Sequence, residues 1–335
     1  SIFATVNVAV VILNWNGKDL LEKFLPSVVA NSSKATIYLA DNASTDNSVA
    51  YVAEFFPSVK IIQNKINGGY AKGYNDALKN LSEEIFVLLN SDVEVTENWL
   101  QPILSEFEKD DSVVAAQPKI LDYKNKEYFE YAGAAGGFID KYGYPYCRGR
   151  IFDTLEKDEG QYNDVSQIFW ASGACLFVKA DAFWEAGGLD EDYFAHQEEI
   201  DLCWRLQRNG GEILYVGTSK VYHVGGATLA SLNPKKTFYN FRNSLLNLLK
   251  NAPVSIAVMS ILVRLLLDGL AAFQFLLQGK PRHFLAVAKA HFSFYGLAPK
   301  FLQKRKKHSS PFQFFKTKSI VFQYYILGKR HFGQL

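Results

Sequence analysis

The feature that most constrains the fold is a regular alternation of apolar runs and helical segments over the first 118 residues. Five short apolar runs have the length and composition of buried strands; they read VNVAVVIL, ATIYLAD, VKIIQN, EIFVLLN and SVVAAQP. Between them lie segments with a helical spacing of apolar residues, such as GKDLLEKFLPSVVAN and GGYAKGYNDALKN. This alternation predicts an α/β fold, in which a mostly parallel sheet carries helices on both faces.

The rest of the chain divides by its pattern. Residues 119–170 lose the alternation and are rich in Tyr, Gly and Asp, which predicts antiparallel hairpins or loops over the sheet edge. Regular elements return with GACLFVKADAFWEAGG, then a helix in EEIDLCWRLQRNG and a short strand in EILYV. We predict one large domain over residues 1–250, followed by a helical extension, 251–335, that is rich in basic and aromatic residues.

Polar side chains stand at or just after the ends of four predicted strands. They are Asn14, Asp41, Asn64 and Asp92. Ligands of open α/β sheets bind beyond the carboxyl ends of the strands, so these side chains are expected to meet at one rim. Each residue alone is better explained as an ordinary turn former. Four of them at one sheet edge favour a binding site. In the second helix, Ser44 or Thr45 is the predicted N-cap.

The triplet Asn90-Ser91-Asp92 has the features of a cation site. Side chains two residues apart at a strand end face the same way. Mg²⁺ and Mn²⁺ prefer oxygen ligands and often take only one or two of them from the protein. We therefore predict Asp92 as a direct ligand, and Asn90 as a weaker ligand or a donor to a sugar hydroxyl. Asp41 can accept hydrogen bonds from the ribose or base of a nucleotide.

Six segments form an ordered series between roughly residues 6 and 250. They are VVILNWNG, LADNASTDNS, NGGYAKGYN, FVLLNSD, WASGACLFVKADAFWEAGGLDEDYFAHQEEIDLCWR and YHVGGAT. Together they resemble the family-2 glycosyltransferases of the GT-A fold, close to a bacterial rhamnosyltransferase-like branch. The resemblance implies an inverting transfer of a sugar from a nucleotide diphosphate sugar, of UDP or dTDP type, with Mn²⁺ or Mg²⁺. It also implies a nucleotide-binding part, 1–118, and an acceptor and catalytic part, 119–250.

The resemblance implies a set of donor-binding residues. Asp41 would bind the base, with Asp46 nearby, and Asn90-Ser91-Asp92 would replace the D-x-D motif of the family. Asn at the first position of this triplet is a departure from the motif. The other implied nucleotide contacts are Leu13, Asn14, Asn16, Asn67, Gly68, Gly69, Lys72 and Asn75. Trp170, Ser172 and Gly173 are implied to line the acceptor or sugar pocket, and Arg242 and Asn243 to contact a diphosphate. Trp170 could equally be a core residue, and Arg242 an ordinary helix-surface arginine.

The catalytic base is implied to lie in HQEEIDLCWR, where Glu198, Glu199 and Asp201 match the acidic pattern of the family. Glu199 stands where Asp is usual, so it is the implied base, and Glu198 is its partner or an acceptor-binding group. A solvated helix start is the plainer alternative, since acidic residues favour helix N-termini. His223 is implied to contact metal or phosphate, with a structural hydrogen-bonding role as the alternative.

The extension differs sharply in charge from the rest of the chain. From Lys250 to the end there are 14 Lys and Arg and one acid, Asp268, whereas 22 basic and 33 acidic residues precede it. Residues 253–277 are long and apolar enough to span a bilayer. However, Arg264 and Asp268 interrupt them at a spacing that allows an ion pair, and charges are disfavoured in mid-bilayer.

Basic and aromatic residues are interleaved beyond this segment, which predicts binding of 253–335 to an anionic membrane surface. The alternatives are packing on its own domain or in a homodimer, and nucleic acid is not an expected partner. Three separated cysteines and a first segment without a signal-peptide pattern predict a cytoplasmic protein, peripheral on the inner membrane face.

We therefore expect a glycosyltransferase that modifies a glycan or a polyprenyl-diphosphate-linked acceptor in surface polysaccharide synthesis. Two other classes remain open. A sugar-phosphate nucleotidyltransferase would show a Gly-rich basic loop after the first strand, and NWNGKD is not one. A non-catalytic membrane-associated scaffold would keep the fold and the extension, and would tolerate loss of Asp92 and Glu199.

Overall fold

A computed structural model describes residues 6–225, 233–306 and 313–335. Its strands are β1 (Val8–Asn14), β2 (Thr36–Asp41), β3 (Lys60–Gln63), β4 (Ile85–Asn90), β5 (Val93–Val95), β6 (Val113–Asp122), β7 (Gly137–Ile139), β8 (Pro145–Cys147), β9 (Arg150–Ile151), β10 (Thr154–Leu155), β11 (Val165–Gln167), β12 (Cys175–Lys179) and β13 (Glu212–His223). Its α-helices are α1 (Lys18–Asn31), α2 (Ser48–Phe55), α3 (Gly69–Leu78), α4 (Gln101–Lys109), α5 (Ala180–Glu185), α6 (Glu198–Arg208), α7 (Pro234–Asn251), α8 (Val254–Leu277) and α9 (Pro281–Gln303).

A nine-stranded sheet forms the centre of the fold. Its order is β11-β13-β6-β12-β4-β1-β2-β3, with β5 paired to β13. The pairs β1–β2, β1–β4, β2–β3 and β6–β13 are parallel, whereas β12 runs antiparallel to both β4 and β6. The predicted α/β class with a large, mostly parallel sheet is therefore confirmed, and all five predicted strands of the first 118 residues form.

Both faces of this sheet are buried, because successive side chains of a strand point to opposite sides. On β1, Ala9 and Val11 pack with residues of α3, α5 and α6. Val8, Val10 and Ile12 face the other way and pack with residues of α1, α2 and α4. The sheet therefore carries helices on both faces, and its strand ends form the rim at which the polar residues collect.

The middle of the chain forms a second, smaller sheet of the order β10-β9-β8-β7, which is antiparallel throughout. This agrees with the hairpins expected between 119 and 170. Two strands are longer than the sequence pattern indicates. The strand β6 continues to Asp122 and β13 to His223, and the two remain paired in parallel to their ends, where Asp122 and His223 are partners.

The extension consists of α8, α9 and a segment that ends in short turns. α7 and α9 pack together, with Leu245, Phe294 and Phe301 in a shared apolar cluster. The backbone N–H of Ile320 donates to Asp140 Oδ2 over 2.9 Å, which ties the last segment to the small sheet. The predicted pair forms, with 2.8 Å between Arg264 Nε and Asp268 Oδ1, and both side chains are buried. The predicted domain boundary at residue 250 falls within the last turn of α7, and it stays a prediction.

Candidate active site

The ends of β1 and β2 bring together the first predicted site residues. Asn14 and Asp41 are register partners, and both side chains are buried. Asn14 Nδ2 donates to Asp41 Oδ1 over 3.0 Å and to Ser44 Oγ over 3.1 Å. The remaining oxygen, Asp41 Oδ2, accepts from the backbone N–H of Ser44 over 3.0 Å. Asn14 Oδ1 is buried without a hydrogen-bond partner among the described residues, which leaves one acceptor at this rim for a ligand.

Asn16 and Asp46 join the two loops that follow these strands. Asn16 Oδ1 accepts from the backbone N–H of Thr45 over 2.7 Å, and Asp46 Oδ2 accepts from that of Lys18 over 3.1 Å. Partial burial raises the pKa of Asp46, but its hydrogen bonds from Ser48 and Lys18 lower it more, and the net shift is downward. The loops after β1 and β2 are therefore held as one unit.

The predicted N-cap of the second helix is wrong. The helix α2 begins at Ser48 with Asn47 as its N-cap residue, rather than at Ser44 or Thr45. The reason is that Ser44 Oγ is already engaged, accepting from the side chain of Asn14 and from the backbone N–H of Asn16 over 2.9 Å. The serine of this loop shapes the rim and does not cap the helix.

A network of asparagines fixes the loop that leads into α3. Asn42, which the sequence patterns did not single out, donates from Nδ2 to Gly69 O over 3.0 Å and to Asn67 Oδ1 over 3.2 Å. Asn64 Nδ2 in turn donates to Asn42 Oδ1 over 3.0 Å. Gly69 has a φ of 80°, a conformation that favours glycine. The backbone of Asn67-Gly68-Gly69 is thus presented at the same rim as Asp41.

The neighbouring residues of α3 make other contacts. Lys72 Nζ pairs with Asp76 over 3.0 Å and lies 3.9 Å from Glu191. Asn75 Nδ2 donates to Leu189 O over 2.8 Å, and so ties α3 to the loop before α6. Leu13 lies at the same level as Asn90, its register partner on β4, and is partly buried.

The turn after β4 connects the rim formed by β1 and β2 to the second half of the domain. A Cβ atom on Gly17 would lie 2.6 Å from Asn14 Oδ1 and 3.8 Å from Ser91 Oγ, so only a residue without a side chain allows this approach. The backbone N–H of Asn90 donates to Ala174 O over 3.0 Å. The triplet Asn90-Ser91-Asp92 therefore lies between Asn14 and the segment that begins at Gly173.

Asp92 belongs to a buried row of three ionisable side chains. His223 Nε2 lies 3.2 Å from Asp92 Oδ1, and His223 Nδ1 lies 3.5 Å from Glu130 Oε1. The pairing of β5 with β13 creates this contact, because Val93 is the register partner of His223. Burial lowers the pKa of His223, but the carboxylates of Glu130 and Asp92 raise it more, to about 10.

Glu130 is a candidate functional residue that the sequence patterns missed. It lies in the irregular stretch after β6, and no local motif marks it. Its Oε2 accepts from the backbone N–H of Ala132 over 2.6 Å, which fixes the carboxylate behind the imidazole of His223. A Cβ atom on Gly225 would lie 2.7 Å from Glu130 Oε1, so glycine there leaves room for this carboxylate. The other residues of YHVGGAT, 226–228, lie outside the described residues.

Asp92 and His223 can hold a divalent cation once His223 gives up a proton, because a ligating imidazole is neutral and cation binding releases that proton. Their facing atoms are 3.2 Å apart, close to the separation of about 3 Å between adjacent ligands on an octahedral cation with bonds of about 2.1 Å. Carboxylate oxygen and imidazole nitrogen both suit Mn²⁺, and a carboxylate behind a ligating His is a common second partner. Within 6–225, 233–306 and 313–335, no group of three or more His, Cys, Asp or Glu is arranged to hold a metal. A cation here would take its remaining ligands from phosphate or water.

Glu198 and Glu199 begin α6 and are largely enclosed, which contradicts the alternative of a solvated helix start. Tyr70 donates from its hydroxyl to Gly173 O over 2.7 Å, and a Cβ atom on Gly173 would lie 3.8 Å from that of Glu199. Burial raises the pKa of Glu199 to about 7. Burial, and then the charge of Glu199, raise the pKa of Glu198 well above its usual range. A carboxyl group with a pKa near neutrality is suited to accept a proton.

Asp201, the third acid of this motif, has a structural environment. It accepts from Arg205 Nε over 2.8 Å, from Lys250 Nζ over 2.9 Å and from Asn251 Nδ2 over 2.8 Å. Burial raises the pKa of Asp201, but these cations and the hydrogen bonds lower it far below its usual range. Its role is to fix α6 to α7, and so to place the start of α6.

Four further predicted contact residues are bonded within the protein. Arg242 Nη2 donates to Tyr193 O over 2.9 Å, and Asn243 Nδ2 donates to His196 O over 2.7 Å. Both side chains therefore hold the loop that leads into Glu198. Trp170 is a buried core residue whose indole N–H donates to Phe138 O over 3.0 Å. Ser172 Oγ donates to Ala132 O over 2.5 Å.

The site residues lie along one edge of the sheet. Asp41 is the register partner of Asn14 at the end of β1, and Leu13 is the partner of Asn90 at the end of β4. The N–H of Asn90 donates to Ala174 O, and the adjacent Gly173 lies near Glu199. Asp92, His223 and Glu130 extend this set of residues on one side. The carboxylates that the sequence patterns singled out, Asp41, Asp92 and Glu199, therefore line one rim of the sheet.

Comparisons with known proteins agree with this arrangement. A family model described as glycosyl transferase family 2 matches residues 9–185, more than half of the chain. The N-acetylglucosaminyl-diphospho-decaprenol L-rhamnosyltransferase of Mycobacterium tuberculosis is 27% identical over 230 residues, which cover 64% of this chain and 75% of that protein. The O-antigen biosynthesis protein RfbC of Myxococcus xanthus is 24% identical over 229 residues, 65% of this chain and 17% of that protein.

Solved structures share the fold. GalNAc-T7 with UDP, GalNAc and Mn²⁺ superposes with a TM-score of 0.57 at 18% identity, over 72% of this chain and 47% of that one. Residues 1–349 of TarS from S. aureus, in complex with UDP-GlcNAc, superpose with a TM-score of 0.56 at 13% identity, over 89% of this chain and 84% of that one. The predicted GT-A fold is confirmed.

Proposed function

Because this chain belongs to glycosyl transferase family 2, we propose that it moves a sugar, with inversion, from a nucleotide diphosphate sugar of UDP or dTDP type to a glycan or lipid-linked glycan. The observation that carries the proposal is the placement of Asp41, Asn90 and Ala174 at neighbouring strand ends of one sheet edge, with Gly173 near Glu199. This placement supports a site in which a nucleotide sugar, a cation and a general base come together.

The donor binds along the first half of the rim. Asp41 and Asn14 take the nucleoside, and the backbone of Asn67-Gly68-Gly69 lies beside it. Asp92 and His223 would hold Mn²⁺ or Mg²⁺, with the carboxylate of Glu130 behind the imidazole. When bound, this cation supplies Lewis-acid stabilisation of the diphosphate leaving group.

Glu199 is the general base. Its carboxylate takes the proton of the acceptor hydroxyl, while the hydroxyl oxygen forms a bond to the anomeric carbon and the bond from that carbon to the diphosphate oxygen breaks. Attack from the face opposite the leaving group inverts the anomeric centre. The raised pKa of Glu199, about 7, supports this assignment, because it matches a base that works near neutral pH.

The acceptor is proposed to be a polyprenyl-diphosphate-linked glycan of surface polysaccharide synthesis. The name of the mycobacterial relative states a decaprenol-linked acceptor, and the Myxococcus relative is named for O-antigen biosynthesis. A lipid-linked acceptor requires an enzyme at a membrane. We place the protein on the cytoplasmic face, bound peripherally through 253–335.

The helix α8 supports this location because its charged side chains face the protein and its apolar side chains face outward. Its charged pair, Arg264 and Asp268, is buried within the protein. Its exposed face carries large apolar side chains: Val254, Val258, Met259, Leu262, Leu265, Leu266, Leu270, Phe273, Leu276 and Leu277. It is long and apolar enough to cross a membrane, yet only 28% of its most apolar stretch is buried in the fold. A contiguous apolar face of this size indicates a lipid or protein contact.

The first experiment tests donor binding and the base separately. The full chain is incubated with a panel of nucleotide sugars, with Mn²⁺ or with EDTA, and thermal stabilisation, donor hydrolysis and transfer are measured. Asp92→Asn should abolish Mn²⁺-dependent stabilisation by the donor. Glu199→Gln should keep that stabilisation and reduce transfer by at least about a hundredfold, the usual contribution of a general base.

Glu108→Gln, an exposed carboxylate on α4, is the matched control and should behave as the parent chain. Transfer at the parental rate by Glu199→Gln would show that the base is assigned wrongly. Failure of every nucleotide sugar to stabilise the parent chain would reject the enzyme, and favour the scaffold alternative.

A further inference from the structure

The segment that leads into Glu198 has a strained backbone. Phe194 has φ 66° and ψ −56°, and the N–H of Ala195 donates to Tyr193 O over 2.8 Å. This is a γ-turn of the positive-φ type, which is rare and strained. His196 and Gln197 follow with φ of 67° and 70°. Glycine would adopt φ values of this sign with less strain, so backbone conformation alone does not explain a phenylalanine at position 194.

Side chains of α7 hold this strained segment in place. Asn243 Nδ2 donates to Ala195 O over 2.9 Å and to His196 O over 2.7 Å. Arg242 Nη2 donates to Tyr193 O over 2.9 Å, and Asn247 Nδ2 donates to Gln197 O over 3.2 Å. Strain that is retained by so many hydrogen bonds is typical of segments with a function.

The side chain of Phe194 is exposed beside the loop that contains Gly69. Its residue is 48% exposed, although it lies between two site segments. It stacks on Tyr239 with 5.7 Å between ring centroids and 23° between planes. A Cβ atom on Gly69 would lie 2.8 Å from Phe194 O and 3.3 Å from its ring. The aromatic pair therefore stands between the donor loop at Gly69 and the start of α6.

Two polar atoms of the segment that follows Phe194 have no partner, and one of them belongs to His196, whose ring lies 6.4 Å from that of Tyr239. His196 Nε2 and Glu198 Oε2 are buried, and neither makes a hydrogen bond among the described residues. Buried polar groups are nearly always satisfied, and exceptions concentrate where a ligand completes them. Burial, together with the charge of Lys236, lowers the pKa of His196 to about 4, so its ring is neutral at neutral pH. A neutral imidazole nitrogen can exchange a hydrogen bond with a hydroxyl group.

We propose that Phe194, Tyr239, His196 and Glu198 form the subsite for the sugar ring of the acceptor. The apolar C–H face of a pyranose lies on the aromatic pair, and its hydroxyl groups bond to His196 Nε2 and Glu198 Oε2. This places one acceptor hydroxyl beside Glu199, the next residue of α6. The inference rests on the proposed function for the identity of the ligand, but the subsite itself is defined by the strained turn and the unpartnered atoms.

The test measures binding of a sugar directly. The probes are methyl glycosides of glucose, galactose, mannose, rhamnose and N-acetylglucosamine, observed by saturation-transfer difference NMR with irradiation of the aromatic protons. We expect ring protons of at least one glycoside to receive saturation from the parent chain. Phe194→Ala and Tyr239→Ala should weaken this binding about threefold to tenfold, the effect of losing one aromatic contact.

Phe194→Tyr keeps the aromatic face and should retain the signal, which controls for misfolding. Phe55→Ala removes an exposed phenylalanine of α2 and should also leave it unchanged. Equal saturation transfer in Phe194→Ala and the parent, or none from any glycoside to the parent, would overturn the subsite. Mn²⁺-dependent stabilisation by nucleotide sugars, measured on the same samples, reports the proposed function independently.

Discussion

At the scale of single residues, two adjacent carboxyl groups at the start of α6 are proposed to have different roles. Burial raises the pKa of both Glu198 and Glu199. Adjacent carboxyl groups titrate as a pair, so ionisation of one opposes ionisation of the other. Burial and this coupling favour a proton on Glu198. In the proposed site, Glu199 accepts a proton while a protonated Glu198 donates a hydrogen bond to a sugar hydroxyl.

The raised pKa of Glu198 predicts a pH-dependent effect on stability. The unfolded carboxyl ionises near its ordinary value of 4.5, whereas the folded one keeps its proton to higher pH. The free energy of unfolding therefore falls as pH rises above about 4.5. Glu198→Gln removes this loss. We expect the variant to match the parent at pH 4.5 and to be more stable at pH 8, on the order of 1 kcal/mol.

Urea denaturation between pH 4.5 and 8 measures this difference. The exposed Glu108→Gln should follow the parent at every pH. An identical pH dependence in Glu198→Gln and the parent would mean that Glu198 ionises as freely in the folded protein as in the unfolded chain.

At the scale of elements, the position of α6 depends on a buried ionic contact with α7. Asp201 is fully buried between Arg205 and Lys250. Asp201→Asn would leave these buried cations undercompensated, and we expect a loss of about 3–5 kcal/mol in the free energy of unfolding. Chemical denaturation measures this loss, and a shift in the midpoint at an unchanged slope would assign it to stability.

Lys300→Met provides the contrast, since Lys300 pairs with Asp192 over 2.7 Å but is more than half exposed. Its loss should change stability by less than about 1 kcal/mol. If both variants lose the same small amount, α6 is held by apolar packing and the buried ions have no special weight.

Elements with a strong local period could be predicted from the sequence, whereas those that depend on distant partners could not. The strand β1 has an unbroken β-branched run and was identified within a residue or two. β5 has only three residues, and β13 reaches His223 because its last four residues, 220–223, pair with β6 beyond an irregularity at 217–219. Their extent is set by tertiary pairing, which no local pattern reports.

The same distinction holds within the site. Asp41 and Asp92 follow strongly periodic strands, so their convergence could be predicted from the geometry of parallel sheets. Glu130 and Asn42 act only through partners far along the chain, His223 and Asn67. The N-cap of α2 was wrong for the same reason, since Ser44 bonds to residues of the preceding loop.

At the scale of the whole molecule, charge and apolar surface are separated in a way that matches a membrane. The extension carries 13 of the 36 basic residues and one of the 34 acidic residues. Its lone acid, Asp268, is buried in contact with Arg264 and His291. The exposed face of α8 is thus apolar and free of acid, a combination that favours insertion beside anionic lipid headgroups.

The orientation of α8 at the membrane follows from its buried ion pair. If α8 spanned the bilayer, Arg264 and Asp268 would lie near its centre, where charges are costly. They would also lose two hydrogen bonds, because Tyr144 donates to Asp268 and Arg264 donates to Ser244. A helix lying along the membrane keeps these bonds and buries only its apolar face. We therefore expect one-sided binding, without a translocated terminus.

Vesicle binding tests this arrangement. Leu266 and Leu270 are two of the most exposed apolar residues of α8. The double variant Leu266→Glu with Leu270→Glu should bind vesicles with one quarter phosphatidylglycerol at least about tenfold more weakly, because burial of each leucine is worth roughly 1.5–3 kcal/mol. High salt should weaken vesicle binding by the parent only in part, since the apolar contribution is not screened.

Phe55→Glu, which changes an equally exposed apolar site on α2, should bind vesicles as the parent does. Unchanged vesicle binding by the double variant would assign the exposed face of α8 to a second copy of the chain and remove the membrane contact from the proposal. A parental dimer in detergent that the double variant converts to monomers would lead to the same conclusion.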